Sequence, residues 1–445
     1  MSKAYTVIVG AGVAGLTAAG MLQDQGRQVV LLEAADQVGG LCRSYTLDSV
    51  VFDLGPHLFL ANPAIESHRF ILDLLKPEPV VRNPFHFAIQ ARGRYWIMPL
   101  NLPDIALHYP WAYKKEAILA HLGRGGAGSA DSRSVRAMME AKSGPSFYRD
   151  VFGPFIARKT GMPGSDLHRD WSERVDRDVR NRKVPFSGLT ERVSLGDKLK
   201  ATFFPQYHYP LRGFGAIAER LWRRFSEAGG RTVLSCGALS LEVRDGRVAE
   251  VRCGEESFAV ESLVWTASIN ELNRLLGGPA RKLHFRDNYI VLLTYGRQGR
   301  PRRPFAYTYH TDPGLVFNRL YYADNLLGGQ APAECEGLCA EILAEEGPAP
   351  RDDRALVEAA CAGVEALGLH PRGRLRQSMV LHLADCMPVY GLDYEERMRE
   401  AFTRVHGIAN LFSVGRRGGY FFCQTPSAVE QGMKMARHLL GAGES

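Results

Sequence analysis

The chain has 445 residues, of which 45% are hydrophobic and 23% are charged, and its formal net charge is +7. Such a length is too great for one compact core, so an ordinary globular protein of two or three subdomains is expected. No stretch approaches the roughly 18 uninterrupted apolar residues of a membrane-spanning helix, so integral membrane association is not predicted.

The N-terminus enters a strand pattern, "YTVIVGAG", without the charged region and cleavage site of a secretory signal. The cysteines form no Cys-x-x-Cys pair, and no histidine pair accompanies them at zinc spacing. We therefore predict reduced thiols, a cytoplasmic protein and no metal site. The basic tract "GRQGRPRRP" at 296–304 is short and broken by Pro and Gly, so no nucleic-acid partner is expected. A modest positive excess suits an anionic small-molecule substrate equally well.

The first elements follow the pattern strand, glycine turn, helix, strand. Val7 to Val9 form a β-branched run typical of a strand buried on both faces. Gly10, Gly12 and Gly15 then give the G-x-G-x-x-G spacing. The first glycine permits the tight turn, the second lets the backbone approach a pyrophosphate, and the third lets the helix pack on the strand. This pattern predicts a dinucleotide site at the helix N-terminus.

The second strand, "QVVLLE", ends at Glu33, which lies about 20 positions past the glycine turn, as expected of an acid that binds a ribose 2′-hydroxyl. Gly39, Gly40 and Arg43 follow directly, where a fold that binds only a nicotinamide dinucleotide continues into its next helix. The alternative is an ordinary surface turn. A second glycine pair and an arginine beside the phosphates favour a longer ligand.

The middle of the chain changes character twice. "FDLGPH" forms a turn from Asp53 to His57 before a helix, and the following Pro-broken, basic and aromatic residues up to about 205 have helical patterns such as "AYKKEAILAHL" and "SVRAMMEA". A mobile loop is expected at 123–134. From "YPLRGFG" onward, helices and alternating strands return, with a hinge at "RDGR" and a buried strand at "ESLVWTAS".

The closing segment, "NLFSVGRRGGYFFCQTPSAVEQG", is predicted to return to the first domain. "NLFSVG" is typical of a buried strand that ends at Gly415, and Thr425-Pro426-Ser427 is typical of a helix start, with Gln424 or Thr425 as its cap. The N–H groups of such a helix terminus favour a ligand that carries negative charge.

The glycine segments, the "FDLGPHLF" turn, "SFYRDVFGPFIARKTGMPGSDLHRDWSERV", "YHYPLRGFGAIAERL" and "LFSVGRRGGY" occur in an order that resembles UDP-galactopyranose mutase and the protoporphyrinogen-oxidase-like flavoenzymes of the amine oxidase superfamily. The resemblance covers most of the chain and is looser in the substrate region. It implies FAD as the cofactor. The implied FAD-binding residues are Gly10, Gly12, Val13, Ala14, Gly15, Glu33, Ala34, Gly40, Leu41, Arg43, Gly55, Pro56, His57, Gly415, Arg416, Gln424, Thr425, Ser427 and Ala428.

We thus expect an α/β fold with a Rossmann-type FAD-binding domain, an inserted mainly helical region and a second mixed-sheet substrate domain. The expected divisions are 1–80, 206–270 and 401–445 for the FAD-binding domain, 81–205 for the helical insert, and 271–400 for the substrate domain.

The same resemblance implies active-site residues. His57 matches the histidine near the reactive edge of the flavin, and Arg174 matches an arginine that faces the active site. Arg286 and Arg416 match arginines that hold a substrate diphosphate or adjoin the flavin, as Arg319 does more weakly. Arginine suits phosphate because its planar fork donates two parallel hydrogen bonds. For each arginine the alternative is an ordinary surface charge. The predicted catalytic residues are His57, Arg174 and Arg286.

The chain departs from the mutases where they contact substrate. Thr160 stands where they have a tryptophan that stacks on uracil, Phe422 replaces a tyrosine on the diphosphate, and Gln424 replaces the acid that follows it. The losses of the stacking ring and of the hydroxyl would each cost about 1 kcal/mol or more of substrate binding. The predicted substrate-contacting residues are Phe155, Thr160, Arg319, Tyr420 and Phe422.

No Gly-x-Ser-x-Gly elbow, metal triad or thiolate-forming cysteine is evident, so the cofactor is expected to carry the chemistry. The main hypothesis is an FAD-dependent oxidoreductase that acts, at flavin N5, on a nucleotide sugar or similar anionic biosynthetic intermediate. The first alternative is a redox-neutral sugar-nucleotide mutase that uses reduced FAD. The second is a non-catalytic FAD-binding scaffold.

Overall fold

The computed structural model describes residues 4–57, 59–84, 87–98, 109–121, 131–173, 206–278, 282–297, 304–328, 332–344 and 352–441. Arg174 and most of the loop predicted at 123–134 lie outside these ranges. The strands of the described part are β1 Tyr5–Val9, β2 Val29–Leu32, β3 Ser44–Leu47, β4 Val50–Asp53, β5 Val80–Pro84, β6 Phe87–Ala91, β7 Arg94–Met98, β8 Gln206–Pro210, β9 Arg231–Val233, β10 Leu239–Arg244, β11 Arg247–Cys253, β12 Glu256–Trp265, β13 Phe285–Gly296, β14 Tyr307–His310, β15 Arg319–Tyr322, β16 Cys335–Leu343, β17 Leu375–Pro388 and β18 Leu411–Ser413.

The α-helices of the described part vary from single turns to four turns. They are α1 Val13–Asp24, α2 Glu66–Leu74, α3 Trp111–His121, α4 Val135–Ser143, α5 Pro145–Phe147, α6 Gly153–Thr160, α7 Gly215–Glu227, α8 Ile269–Leu275, α9 Ala323–Leu326, α10 Asp353–Ala366, α11 Tyr394–His406, α12 Gly415–Gly418 and α13 Thr425–Leu439. None of these helices has both the length and the apolar composition that crossing a bilayer requires.

The first sheet has the order β10-β11-β12-β1-β2-β9, and β18 also pairs with β12. The pairs β12–β1, β1–β2, β2–β9 and β12–β18 are parallel. All four residues of β2 are buried, as expected of a parallel strand covered on both faces. The antiparallel β10–β11 hairpin turns at Asp245 and Gly246, which both have positive φ, so the hinge predicted at "RDGR" is confirmed.

Helices α7 and α13 pack against α1, which brings the last helix of the described chain onto the first. The contact between α1 and α13 is close because Gly432 has no side chain. A Cβ atom at that position would lie 2.4 Å from the Ala14 carbonyl oxygen. The return of the closing segment to the first sheet and helix is therefore confirmed.

The second sheet has the order β17-β13-β16-β15-β14-β6-β7. Its neighbours are antiparallel except for β14 and β6, which run parallel. Helix α10 covers one face, where Leu356, Ala360 and Val364 join a buried cluster with residues of β13 and β16. The structure thus confirms a Rossmann-type α/β fold with a second mixed sheet.

The segment from 80 to 98 differs from the expectation of a mainly helical insert. It forms β5, β6 and β7, and the last two extend the second sheet. The β6–β7 hairpin turns at Arg92 and Gly93, both with positive φ, and buries Trp96. Pro84 and the basic residues of this stretch obscure its period-2 alternation. Helices α3 to α6 follow as predicted, and the domain boundaries themselves remain a prediction.

The prediction that all cysteines are reduced is wrong for two of them. Cys236 and Cys253 form a disulfide bond, which joins the loop after β9 to the end of β11. The two residues are 17 positions apart in the sequence and meet only because the β10–β11 hairpin folds back, which no local cysteine spacing indicates. The other cysteines of the described chain are buried and form no disulfide bond.

Candidate active site

The first glycine turn has space for a ligand at one position only. A Cβ at Gly10 would lie 2.4 Å from Thr266 Oγ1, and a Cβ at Gly15 would lie 2.2 Å from the Gly10 carbonyl oxygen, so protein atoms fill both sites. At Gly12 no heavy atom lies within 4 Å of the Cβ position. Gly12 is the N-cap of α1, so the open space adjoins a helix N-terminus, which favours an anionic group such as a pyrophosphate.

The second glycine pair lies directly beside the first turn. Gly39 N–H donates to the Ala11 carbonyl oxygen at 2.8 Å. A Cβ at Gly40 would lie 3.2 Å from Gly12 Cα. Both Gly39 and Gly40 have positive φ, a conformation that glycine adopts without steric cost. The two glycine segments therefore form one cradle, as a ligand longer than a single nucleotide requires.

Glu33 fixes the edge of this cradle. Its carboxylate accepts hydrogen bonds from Ala11 N–H at 2.7 Å and from Ala35 N–H at 3.0 Å. Each carboxylate oxygen keeps a further lone pair for a ribose hydroxyl. Arg43 is anchored nearby, since its Nε donates to the Gly40 carbonyl oxygen at 3.0 Å.

A cavity of about 330 Å³ opens beyond the end of β2. It lies next to Glu33 because three residues that line it, Asp36, Gln37 and Val38, follow that acid in the chain. Its remaining lining residues are Arg43, Ser44, Arg212, Gly215, Ala216, Glu219, Trp222 and Leu234. The size and position of the cavity fit the nucleoside end of a dinucleotide whose phosphates lie over Gly12.

The closing segment reaches the same cradle. A Cβ at Gly415, where φ is +87°, would lie 3.5 Å from the Ala14 side chain, and Gly415 N–H donates to Gln431 Oε1 at 2.9 Å. Thr425 Oγ1 lies 3.4 Å from Cys42 Sγ. The structure thus brings the predicted residues of the first turn, the second glycine pair and the closing segment into contact.

Helix α13 begins with Gln424 as its N-cap and with Pro426 in its first turn, and the Gln424 side chain makes no capping hydrogen bond. Ala428 N–H donates to the Gln424 carbonyl oxygen at 3.0 Å, which closes the first turn. Ser427 lies in that turn. The positive end of this helix dipole lies beside Cys42 of the cradle.

His57 lies on the turn after β4, against a buried acid. Its ring stacks on Phe214 with centroids 5.1 Å apart, and Nδ1 lies 3.1 Å from the Gly55 carbonyl oxygen and 3.9 Å from Asp53 Oδ2. Burial, reinforced by the positive charge of Arg416, lowers the pKa of His57 to about 3. The imidazole is therefore neutral near pH 7, and Nδ1–H donates to Gly55 while Nε2 remains an acceptor.

Asp53 is fully buried and holds three segments together. Its carboxylate accepts hydrogen bonds from Ser44 Oγ at 2.5 Å, from Phe214 N–H at 3.0 Å and from the Tyr209 hydroxyl at 2.6 Å. Burial raises the pKa of Asp53 to about 6, against these hydrogen bonds. This network orients the turn that carries His57.

Arg319 lies on the other side of that turn. A Cβ at Gly55 would lie 2.4 Å from Glu341 Oε1 and 3.3 Å from the Arg319 guanidinium. Arg319 Nε and Nη2 donate to the two oxygens of the buried Glu341 at 2.8 and 2.6 Å. Its third nitrogen, Nη1, donates to the Tyr309 hydroxyl at 3.0 Å.

Lys159 projects from α6 into a group of aromatic rings. Its Nζ lies 5.1 Å from the ring centre of Tyr309, 5.4 Å from that of Trp171 and 5.6 Å from that of Phe155. It also donates to the Tyr309 hydroxyl at 3.1 Å. Cation–π contacts of this kind hold an ammonium group in a partly desolvated position.

Trp171 and Phe422 complete the arrangement. Their rings stack at 5.6 Å with an interplanar angle of 12°. The Arg416 guanidinium lies 5.3 Å from the Phe422 ring centre, and its Nε donates to the Cys423 carbonyl oxygen at 3.0 Å. The contacts thus run from Arg319 through Tyr309, Lys159, Trp171 and Phe422 to Arg416. The charges of both end arginines lower the pKa of His57, so these six side chains form one cationic and aromatic group near His57.

Three other predicted residues have their polar groups engaged within the protein. The Thr160 hydroxyl bonds the Ile156 and Met162 carbonyl oxygens at 2.8 and 2.9 Å, and Arg286 Nε donates to the Thr160 carbonyl oxygen at 2.7 Å. Tyr420 is 1% exposed, and its hydroxyl bonds backbone carbonyl oxygens. The hydroxyls of Thr160 and Tyr420 are therefore engaged by backbone carbonyl oxygens and not by the cationic and aromatic group. Arg174 lies outside the described residues.

Sequence reasoning missed Lys159, Trp171, Tyr309 and Glu341. Two signals were available. Phe155 and Lys159 have the i, i+4 spacing of one helix face, and Tyr307 and Tyr309 have the i, i+2 spacing of one strand face. Neither pattern shows that the two faces meet. No cluster of three or more metal-ligating side chains occurs in the ranges that the structure covers.

Comparisons with known proteins identify a matching family at the first glycine turn and solved structures with a similar fold. The family of NAD(P)-binding Rossmann-like domains matches residues 8–73. The whole chain superimposes on reduced UDP-galactopyranose mutase with a TM-score of 0.78 at 18% identity, covering 100% of this chain and 95% of that one. A putative protoporphyrinogen oxidase from Exiguobacterium sp. 255-15 gives 0.73 at 17% identity, with 99% of both chains covered. The chain therefore shares its fold with these two proteins. The resemblance and the cofactor that the sequence predicts, FAD, are thus in agreement with the fold and with the glycine cradle.

Curated relatives match over shorter stretches. The hydroxyneurosporene desaturase of Rubrivivax gelatinosus is 25% identical over 324 residues, which are 62% of this chain and 56% of the relative. The L-amino acid oxidase Cdc18 of Crotalus durissus cumanensis is 50% identical over 98 residues, or 22% of this chain and 18% of the relative. The chain thus matches about half of the desaturase and about a fifth of the oxidase.

Proposed function

We propose that this protein is an FAD-dependent oxidoreductase that acts on an anionic biosynthetic intermediate, of which a nucleotide sugar is the leading example. The observation that carries the proposal is the charge of the cationic and aromatic group near His57. Lys159, Arg319 and Arg416 contribute three positive charges and Glu341 contributes one negative charge, and positive charge stays in excess even when Tyr309 is a phenolate. A partly buried cationic excess of this kind favours a ligand that carries negative charge.

The residues that would hold FAD are those of the cradle. The pyrophosphate would approach at Gly12, the ribose hydroxyl at Glu33, and the flavin would lie toward Gly415 and the N-terminus of α13. The open Cβ position at Gly12 supports this assignment. When bound, FAD supplies the electron acceptor for the reaction, and the protein supplies binding, orientation and charge.

The protein groups then have separate roles. Neutral His57 presents Nε2 as a hydrogen-bond acceptor while Gly55 holds its Nδ1–H. Arg319 and Arg416 attract the anionic part of the substrate. The stacked pair of Trp171 and Phe422 offers an aromatic surface for a base or a sugar face, in place of the ring that is missing at Thr160.

A redox-neutral mutase that uses reduced FAD is the second candidate. Its support is the likeness in fold to UDP-galactopyranose mutase, which extends over 100% of this chain. The two candidates share the same cofactor and the same anionic substrate class. They differ in the net reaction, because an oxidoreductase oxidises the substrate whereas a mutase converts it into an isomer.

The experiment that separates them is an anaerobic titration of the FAD-loaded protein with a panel of nucleotide sugars and related anions. For an oxidoreductase we expect substrate-driven loss of the visible flavin absorbance and a product that is two hydrogens lighter. For a mutase we expect no bleaching and an isomer of unchanged mass that forms only after the flavin has been reduced. If no compound of the panel changes the flavin spectrum, the proposal is wrong.

A matched pair of variants tests the cationic site. Arg416→Gln should weaken binding of the active compound about ten- to hundredfold, because a charge-assisted hydrogen bond contributes about 1.5–3 kcal/mol. Arg244→Gln, on the exposed β10–β11 hairpin, should bind as the wild type does. Equal affinities for both variants would contradict the role of Arg416.

A further inference from the structure

Tyr309 has an environment that differs from that of its neighbours on the second sheet. Its ring is 4% exposed, and its hydroxyl oxygen accepts hydrogen bonds from two cations, Arg319 Nη1 at 3.0 Å and Lys159 Nζ at 3.1 Å. These donors come from different elements, β15 and α6. Each side chain also has partners other than Tyr309, which are Glu341 for Arg319 and the rings of Phe155 and Trp171 for Lys159.

The charged groups that face Tyr309 come from three elements packed against it. Lys159 projects from α6 and Arg319 from β15, while Glu341 of β16 acts through its bidentate pair with Arg319. On β14 itself, the Tyr307 ring lies 5.4 Å away. The remaining neighbours are apolar, namely Phe87 of β6 and Phe155 of α6.

The two cationic donors favour the deprotonated form of this phenol. A phenol oxygen has two lone pairs, and a phenolate has three, so charged donors bind the phenolate more strongly. Burial raises the pKa of Tyr309, but the charges of Arg319 and Lys159 outweigh it and the net direction is downward. For Tyr307, burial and the neighbouring Tyr309 raise the pKa well above its usual range. Two tyrosines on one strand face thus shift in opposite directions.

The Tyr309 oxygen also lies at the boundary of the candidate substrate site. Arg319, one of its donors, adjoins the Gly55 turn that carries His57. Lys159, the other donor, faces Trp171 of the stacked aromatic pair. A substrate attracted by these two cations therefore approaches the oxygen that they both contact.

We propose that Tyr309 is the acid–base residue that takes a proton from the bound substrate. This inference rests on the proposed function. The O–H bond of a substrate hydroxyl breaks, its electron pair stays on the substrate oxygen, and the proton forms an O–H bond with the Tyr309 phenolate. Lys159 and Arg319 hold the phenolate before the transfer and stabilise the substrate oxygen anion after it. The reverse transfer regenerates the phenolate.

The first test does not depend on any substrate. The ultraviolet absorbance of tyrosinate is followed during a pH titration of the FAD-loaded protein. We expect one tyrosine of the wild type to ionise below the others, and this ionisation to be absent from Tyr309→Phe. Lys159→Met, which removes one donor, should move it to higher pH. Tyr289→Phe, at a buried tyrosine on β13 of the same sheet, should leave it in place. An early ionisation that persists in Tyr309→Phe, or that is absent from the wild type, overturns the proposal.

The second test uses the compound that the anaerobic titration identifies. Removal of an acid–base group costs about a hundred- to ten-thousandfold in rate, so we expect a loss in that range of kcat for Tyr309→Phe with little change in KM. The pH–rate profile should lose the limb that follows the Tyr309 ionisation. A rate within about threefold of the wild type overturns the role of Tyr309. A failure of the proposed function itself is recognised by a different result, because the flavin spectrum of the wild type would then respond to no compound.

Discussion

At the scale of single residues, His57 and Asp53 form a pair whose pKa values shift in opposite directions. Burial lowers the pKa of His57 from 6.5 to about 3 and raises that of Asp53 from 3.8 to about 6. Burial shifts each group toward its neutral form, so His57 is neutral near pH 7, whereas Asp53 is still mostly ionised there. The hydrogen bonds that Ser44 and Tyr209 donate stabilise the Asp53 carboxylate and partly offset the effect of burial.

The His57 shift predicts a pH dependence of stability. In the unfolded chain His57 takes up a proton near pH 6.5, whereas in the folded protein it stays neutral to about pH 3. The unfolded state therefore binds more protons in this window, and His57 lowers the free energy of unfolding as the pH falls. Relative to the wild type, His57→Gln should gain about 1 kcal/mol between about pH 7.5 and pH 5.5. Urea denaturation at the two pH values measures this difference.

The contribution of Asp53 to stability has the opposite pH dependence, and it is present in both the wild type and His57→Gln. Its raised pKa makes the folded state bind more protons between pH 3.8 and about 6, so its contribution falls as the pH rises through that window. His406→Gln, at an exposed histidine on α11, is the matched control and should show no such gain. If His57→Gln and His406→Gln behave alike, His57 is not held neutral in the fold.

At the scale of elements, a substitution in the glycine turn can weaken cofactor binding while it leaves the fold stable. Gly12 has φ −74° and ψ 171°, an extended conformation open to any residue, and no heavy atom lies within 4 Å of its Cβ position. The free energy of unfolding of the Gly12→Val apoprotein should therefore lie within about 0.5 kcal/mol of that of the wild-type apoprotein. Its side chain would occupy the space over the helix N-terminus, so bound FAD should fall at least about tenfold. Flavin absorbance and thermal denaturation check the two statements.

Gly15→Ala provides the contrast within the same turn. Its Cβ would lie 2.2 Å from the Gly10 carbonyl oxygen, so the backbone must shift and the apoprotein should lose about 1–3 kcal/mol of stability. A Gly12→Val protein that retains normal flavin content would contradict the phosphate cradle.

The elements that sequence could predict are those with local signals. The glycine turn, Glu33, the hinge at "RDGR" and the start of α13 each depend on residues a few positions apart, and the structure has them where the patterns place them. Lys159 and Tyr309 are 150 positions apart, and their contact depends on how α6 faces the second sheet. A single sequence contains no signal for that. The β6–β7 hairpin was missed for a related reason, since its partner strand β14 lies more than 200 positions later.

At the scale of the whole molecule, the first and the last elements of the described chain belong to the same sheet and the same pair of helices. β18 pairs with β12, which pairs with β1, and α13 packs on α1. The proposed FAD-binding face is therefore complete only when the closing segment, from β18 to α13, has docked. Docking of this kind couples the stability of the closing helix to the affinity for the cofactor.

This coupling gives a prediction for Gly432, where α13 crosses α1. Its Cβ would lie 2.4 Å from the Ala14 carbonyl oxygen and 2.8 Å from Thr17 Cβ, so Gly432→Ala must separate the two helices. We expect a loss of about 1–3 kcal/mol in the free energy of unfolding and weaker FAD binding, because the helix N-terminus at Thr425 moves away from Cys42. Gly20→Ala on α1 is the control. No heavy atom lies within 4 Å of its Cβ position, so the alanine should stabilise the helix by about 0.5–1 kcal/mol and leave FAD binding unchanged. Thermal denaturation of the apoproteins and FAD titration measure both effects. If Gly432→Ala binds FAD as tightly as Gly20→Ala, the closing helix does not contribute to the cofactor site.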